Sequence, residues 1–157
     1  MARLRPAQAA GWLLLAAGDN APPAAAAAAR LAEVLAASAL PAYLLTAGRV
    51  GGGPEERRSR KIPAALVVRV LDAALAGAVD WEADPDFGWE LPMDLPGLDV
   101  DARRILVPRF LYARTDRVYD YAEMVPRLRR QRSAALARVG GVDSAIRDAF
   151  PALREGR

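Results

Sequence analysis

Ala42-Tyr43-Leu44-Leu45-Thr46-Ala47 runs without a charge into Gly48-Arg49-Val50-Gly51-Gly52-Gly53-Pro54, and this junction decides the fold class. Six almost wholly apolar residues between Pro41 and a glycine read as a buried strand, because a strand covered on both sides loses the alternation of a half-exposed one. Tyr43 and Leu45 fall on one face and Leu44 on the other. Upstream, Pro23 to about Leu40 is rich in alanine, and Leu31, Val34 and Leu35 give a narrow apolar stripe at helical spacing that Pro41 ends. Before that, residues 6–17 predict a helix opened by Pro6 and closed by Gly18, with Asp19-Asn20-Ala21-Pro22-Pro23 as the turn between the two. Helix, helix, strand and glycine loop together predict an α/β fold.

Downstream of the glycines, Glu55-Glu56-Arg57-Arg58-Ser59-Arg60 predicts an exposed, mobile loop leading to Lys61-Ile62-Pro63. Pro63 suits the first position of a helix whose Leu66, Val67, Val70, Leu71 and Ala74 share one face and which Gly77 stops. From Val79 to Arg109 the helical period is lost and Pro85, Pro92, Pro96 and Pro108 intervene, which predicts an extended connection of short strands and turns. Val118, Tyr121, Val125, Leu128, Arg132, Leu136 and Val139 then recur three or four apart, predicting a long C-terminal helix broken or kinked at Pro126.

The 157 residues suit one domain with one core, although much of the 53% hydrophobic content is alanine and aromatics are only 6%. The absence of cysteine and histidine excludes disulfides, thiolate and imidazole catalysis, and metal sites built on nitrogen or sulfur. A net charge of +3 is small, and arginine stands almost everywhere lysine could, Lys61 being the one lysine. Arg3 and Arg5 before Trp12-Leu13-Leu14-Leu15-Ala16-Ala17 have the outline of a secretory signal, but the apolar run is short and Pro6 and Gln8 interrupt its approach, so a cytoplasmic chain is expected. Arg30 and Glu33 break the longest apolar stretch before it reaches the ~18 residues of a membrane span.

Four patterns invite a chemical reading. Gly48 and Gly53 have the separation of a phosphate-binding P-loop after a strand, but Pro54 and Glu55 occupy the places of its lysine and hydroxyl residue, so neither the ammonium nor the magnesium ligand is there. Asp80, Glu82, Asp84 and Asp86 alternate and would put carboxylates on one side of a strand, either as an oxygen-ligand site for a hard cation or as a solvated edge, the reading favoured here. Trp81, Phe87 and Trp89 read as packing for the irregular segment. Arg127, Arg129, Arg130 and Arg132 lie on a helix without interleaved aromatics, a solvated face rather than a nucleic-acid surface.

The order of several short pieces is more specific than any of them. Tyr43-Leu44-Leu45-Thr46-Ala47-Gly48-Arg49-Val50-Gly51-Gly52, Lys61-Ile62-Pro63, Asp84-Pro85-Asp86-Phe87-Gly88, Leu95-Pro96-Gly97-Leu98-Asp99 and Val107-Pro108-Arg109-Phe110-Leu111-Tyr112, preceded by Leu4-Arg5-Pro6-Ala7-Gln8-Ala9, together resemble the C-terminal part of ATP-dependent phosphoenolpyruvate carboxykinase, shortened between Gly18 and Ala32. The resemblance implies a partial mononucleotide-binding domain with a short mixed sheet, flanking helices and a long C-terminal helix. It spans residues 1–157 as one domain: helices, strand and glycine loop in 1–60, adenine-segment helix and extended connection in 61–112, and C-terminal helices in 113–157.

What the resemblance implies about function is partial. In that family the phosphate loop, metal ligands, catalytic aspartate and substrate arginines lie upstream of the region represented here, so the chain is expected to have no catalytic or metal-binding residue of its own and to be inactive alone. The adenine segment is an Arg-Ile pair with a threonine six positions after the arginine. Without gaps, Lys61 and Ile62 stand at the pair and Val67 at the threonine; a one-residue slip gives Arg60 the cationic role, and both placements stay open. Lysine loses the planar stacking surface of arginine and valine loses a hydroxyl, so ATP binding is expected to be weak. The expected partner is a protein carrying the P-loop, catalytic half and divalent metal, or a second copy, with no nucleic acid and no membrane. The alternative is a non-catalytic scaffold or regulatory protein derived from the same fold.

Overall fold

In the computed structural model, which describes residues 1–18, 21–46 and 48–151, the chain is a mixed α/β protein. Its elements run β1 (Ala2–Leu4), α1 (Pro6–Ala17), α2 (Ala21–Ser38), β2 (Ala42–Leu44), β3 (Arg49–Val50), β4 (Arg60–Lys61), α3 (Ala64–Leu75), β5 (Asp80–Ala83), β6 (Glu90–Asp94), α4 (Val100–Leu106), α5 (Pro108–Arg114), α6 (Val118–Ala137) and α7 (Ser144–Asp148). One sheet has the strand order β2-β1-β6-β5, and β3 and β4 form a separate two-stranded ribbon. β6 pairs antiparallel with both β1 and β5. No helix among the described residues is long and apolar enough to cross a membrane.

The described residues group into two compact units. The first comprises Met1–Arg3, Leu44–Asp84 and Glu90–Ala122. The β5–β6 hairpin sets its frame, with Trp81 opposite Pro92 and Glu82 opposite Leu91, and α4 packs on β6 and on α5. Pro63 opens α3 by accepting from the Leu66 and Val67 amides at 3.0 and 3.3 Å, and the buried Leu66 and Val70 form the expected inner face. Arg69 donates from that helix to the Gly97 carbonyl (2.6 Å), tying α3 to the turn after β6.

The second unit comprises Leu4–Tyr43, Pro85–Trp89 and Glu123–Arg157. α1 packs against α2 and α7, and its core is built from Ala10, Leu14, Ala28, Leu136, Ile146 and Phe150. Alanine does here what larger residues do elsewhere: Ala10 and Ala28 are fully buried, which lets two helices approach closely and gain dispersion contact over their length. Gln8, 1% exposed, accepts from the Arg5 amide and donates to the Gly88 carbonyl, both at 3.0 Å. It thereby holds the Phe87-Gly88 turn against the start of α1.

Four expectations need correction. The segment after β6 is two short helices, not an extended connection: Asp99 accepts from the Ala102 amide at 2.7 Å to cap α4, and Pro108 stands at the start of α5, which has no side-chain cap. Helices of seven residues are too short for periodicity to reveal, and only their opening residues announce them. α6 is not broken at Pro126 but continues past it as one helix, because Pro126 costs one ladder hydrogen bond while Val125 and Leu136 stay buried. β2 ends at Leu44; it lies at a sheet edge and is half-buried, with Leu45 exposed, rather than covered on both faces, and Ala47 lies outside the described residues. The carboxylates do not form a row: the pairing is irregular between Asp80 and Trp81, β5 stops at Ala83, and Asp84 is buried beyond it. Among the described residues no cluster of acidic side chains is arranged to hold a metal ion.

Candidate functional site

The predicted nucleotide segment falls in the first unit, on the ribbon. Arg49 lies opposite Lys61 and Val50 opposite Arg60, so the loop containing the glycines closes the hairpin that presents the two candidate cations. Arg60 and Lys61 are both exposed, and as neighbours in an extended strand they point to opposite sides. Only one can face a ligand lying on a given face of the ribbon. Ile62 is buried and its amide donates to the Gly48 carbonyl (3.0 Å). Val67 sits half-buried in the first turn of α3. The structure therefore brings Arg60, Lys61 and Ile62 together beside the glycine loop, with Val67 one turn into the helix that follows.

The loop is tied rather than loose. Ser59, 3% exposed, donates from its hydroxyl to the Gly53 carbonyl and accepts from Arg49 Nε, both at 2.8 Å. Its amide donates to the Glu56 carbonyl (3.0 Å), and the Glu56 amide to the Gly53 carbonyl (3.2 Å). Arg58 donates to the Thr115 carbonyl at 2.8 Å. Arg117, whose side chain is 14% exposed, stacks on Tyr112 at 4.8 Å and donates to the Gly51 carbonyl (2.7 Å) and to Asp120 (2.6 Å). The Asp120 hydrogen bond, with Glu56 and Tyr112 adding to it, raises the Arg117 pKa against the effect of its burial, so this clamp stays charged at any accessible pH. Gly51 has φ +86, and a Cβ there would meet Leu111 Cδ2 at 2.9 Å; only glycine fits at that turn. Charge-rich composition predicted mobility because it does not show that the arginines spend their donors on the loop's own carbonyls.

A second constellation occupies the other unit, and sequence reasoning missed it. The Arg132 guanidinium lies 4.8 Å from the Trp12 ring centre, 4.7 Å from Phe87 and 5.2 Å from Trp89. Phe87 and Trp89 stack at 4.7 Å, and Trp12 meets Phe150 edge-on at 6.2 Å. Beside this cluster opens a cavity of about 250 Å³ lined by Arg5, Phe87, Trp89, Arg129, Arg132 and Phe150, with Asp86 and Asp148 also on its wall. The signal was present: Arg132 falls on the apolar stripe of α6, four residues from both Leu128 and Leu136, where a solvated arginine has no reason to be. Phe87 and Trp89 do pack, as expected, but around a cation. Trp12 Nε1 is buried with no acceptor among the described residues.

No family model matches the chain. It is similar to the phosphoenolpyruvate carboxykinase (ATP) of Parvibaculum lavamentivorans, 35% identical over 85 residues that make up 53% of this chain and 15% of that protein. It is 36% identical over 85 residues to the enzyme of Cereibacter sphaeroides, with the same coverage. A longer match, 28% over 124 residues, covers 77% of this chain and 22% of the Novosphingobium aromaticivorans enzyme. The chain thus spans between about an eighth and a fifth of the length of the relatives it matches, and the resemblance read from the motif order is borne out as similarity to a portion of ATP-dependent phosphoenolpyruvate carboxykinase.

Proposed function

We propose that the chain is a detached C-terminal subunit of an ATP-dependent phosphoenolpyruvate carboxykinase, contributing part of the adenine pocket while a partner supplies the chemistry. The similarity to those enzymes carries this reading. The ribbon supports it, because it gives Arg60 and Lys61 a fixed backbone beside a clamped glycine loop. The reaction, oxaloacetate and ATP to phosphoenolpyruvate, carbon dioxide and ADP, is a decarboxylation coupled to phosphoryl transfer. It needs a lysine and amides around the phosphates and a divalent metal that would neutralise the charge developing on them. Those groups, and the metal, belong to the partner in this proposal. Base binding falls to Arg60 or Lys61 with Ile62, and Val67 in place of a hydroxyl residue makes it weak. The setting is cytoplasmic, and the partner is a protein carrying the P-loop, or a second copy seated on the β2 edge.

The test is a calorimetric titration of the full chain with ATP, repeated with the product of any neighbouring gene that encodes a GxxxxGK[ST] loop. Weak saturable binding to the chain, tightened by that partner and lost in the Arg60→Ser, Lys61→Ser double variant, is expected. Turnover of oxaloacetate with ATP and manganese by the chain alone would overturn the proposal. A second reading, a scaffold or regulatory protein that kept the fold and lost the nucleotide, rests on Val67; it is the outcome if ATP binds neither the chain nor the pair.

A further inference from the structure

The Arg132 cluster is unused by the nucleotide reading, lies wholly within the second unit, and stands or falls independently of it. We propose that its cavity is a binding site for a small organic anion with a planar apolar body, an aromatic carboxylate or the phosphomonoester of a single ring. Three observations point to this ligand class. Size comes first: about 250 Å³ exceeds the ~150 Å³ that accepts a benzene ring, and leaves room for one ring with one charged substituent. The wall chemistry comes second, because Phe87, Trp89 and Phe150 line it with aromatic surface, and its three guanidinium groups, of Arg5, Arg129 and Arg132, outnumber its two carboxylates, of Asp86 and Asp148, which leaves the wall net positive. Guanidinium forks match carboxylate and phosphate oxygens in pairs.

Preorganisation comes third. Three ring faces hold Arg132 in place, so little rotamer freedom is lost when an anion arrives. Arg129 stands one turn earlier on the same helix. The turn that carries Phe87 is held to α1 by the buried Gln8.

The experiment reads tryptophan fluorescence in the full-length Trp81→Phe chain, whose remaining tryptophans, Trp12 and Trp89, both belong to the cluster. Benzoate and phenyl phosphate are titrated at constant ionic strength, with benzyl alcohol and inorganic phosphate as controls for ring alone and charge alone. A saturable change with either ring-bearing anion, and none with the controls over the same range, is expected. Benzoate alone identifies a carboxylate ligand and phenyl phosphate alone a phosphomonoester. Arg129→Ala should weaken binding about tenfold, the effect of one lost charge-assisted hydrogen bond, and Arg5→Ala serves the same purpose should the first variant not fold. The proposal is overturned if neither anion saturates, if benzyl alcohol binds as well as benzoate, or if both arginine variants bind like the parent.

Discussion

Gly11 and Gln8 show how single atoms set the second unit. A Cβ on Gly11 would stand 2.2 Å from Phe150 Cε2 and 2.9 Å from two further ring atoms, and that ring is buried and meets Trp12 edge-on. Alanine would gain about 0.5–1 kcal/mol of helix propensity, but overpacking a buried ring costs about 1–3 kcal/mol, so the clash wins. Gly11→Ala should lower the urea midpoint; an unchanged or raised midpoint would show that Phe150 has room to move. Gln8 presents the opposite case, a polar side chain whose burial is met at both ends. Gln8→Leu keeps the volume and strands the Gly88 carbonyl and Arg5 amide, with an expected loss of about 1–3 kcal/mol. The same denaturation measurement checks it, and a neutral result would mean that water replaces both bonds.

The loop of the β3–β4 hairpin is clamped by a side chain from the turn between α5 and α6, Arg117. With Arg117→Met the Gly51 carbonyl and Glu56 lose their cation while much of the packing over Tyr112 is kept, so hydrogen exchange at the Glu56 and Ser59 amides should speed up and protection in α3 should not. Equal loss in both places would mean the whole unit had loosened. Helices α1, α2 and α3 were legible in the sequence, α1 from Pro6 and Gly18, α2 from its alanine run, its apolar stripe and Pro41, and α3 from Pro63, Gly77 and a 3.6-residue stripe. α4 and α5 were not, being two turns long and defined by Asp99 and Pro108 rather than by a stripe. Motif order singled out the segment proposed to meet the nucleotide, yet neither the clamp beside it nor the Arg132 cluster could be read that way, because both join residues distant in sequence: Arg117 reaches Gly51, and Arg132 reaches Trp12 and Phe87. Short-range pattern carries no information about which arginine a fold will draw inward.

Composition also limits how stability can answer to pH. The chain has no histidine and no cysteine, so between the carboxylates and the tyrosine and lysine groups the α-amino group of Met1 is the one ordinary titrating group left. Met1 is buried, and desolvation lowers its amine below the usual 8.0. In the window between the lowered folded value and 8.0, the unfolded chain holds a proton that the folded chain has released. Stability must then rise with pH through that window and level off above it. Urea denaturation of the 157-residue chain from pH 6 to 9 should show this upward step, and the same chain with an acetylated N-terminus should show none. A flat profile would mean the amine finds a compensating acceptor, and a step in the acetylated chain would place the titration on another group.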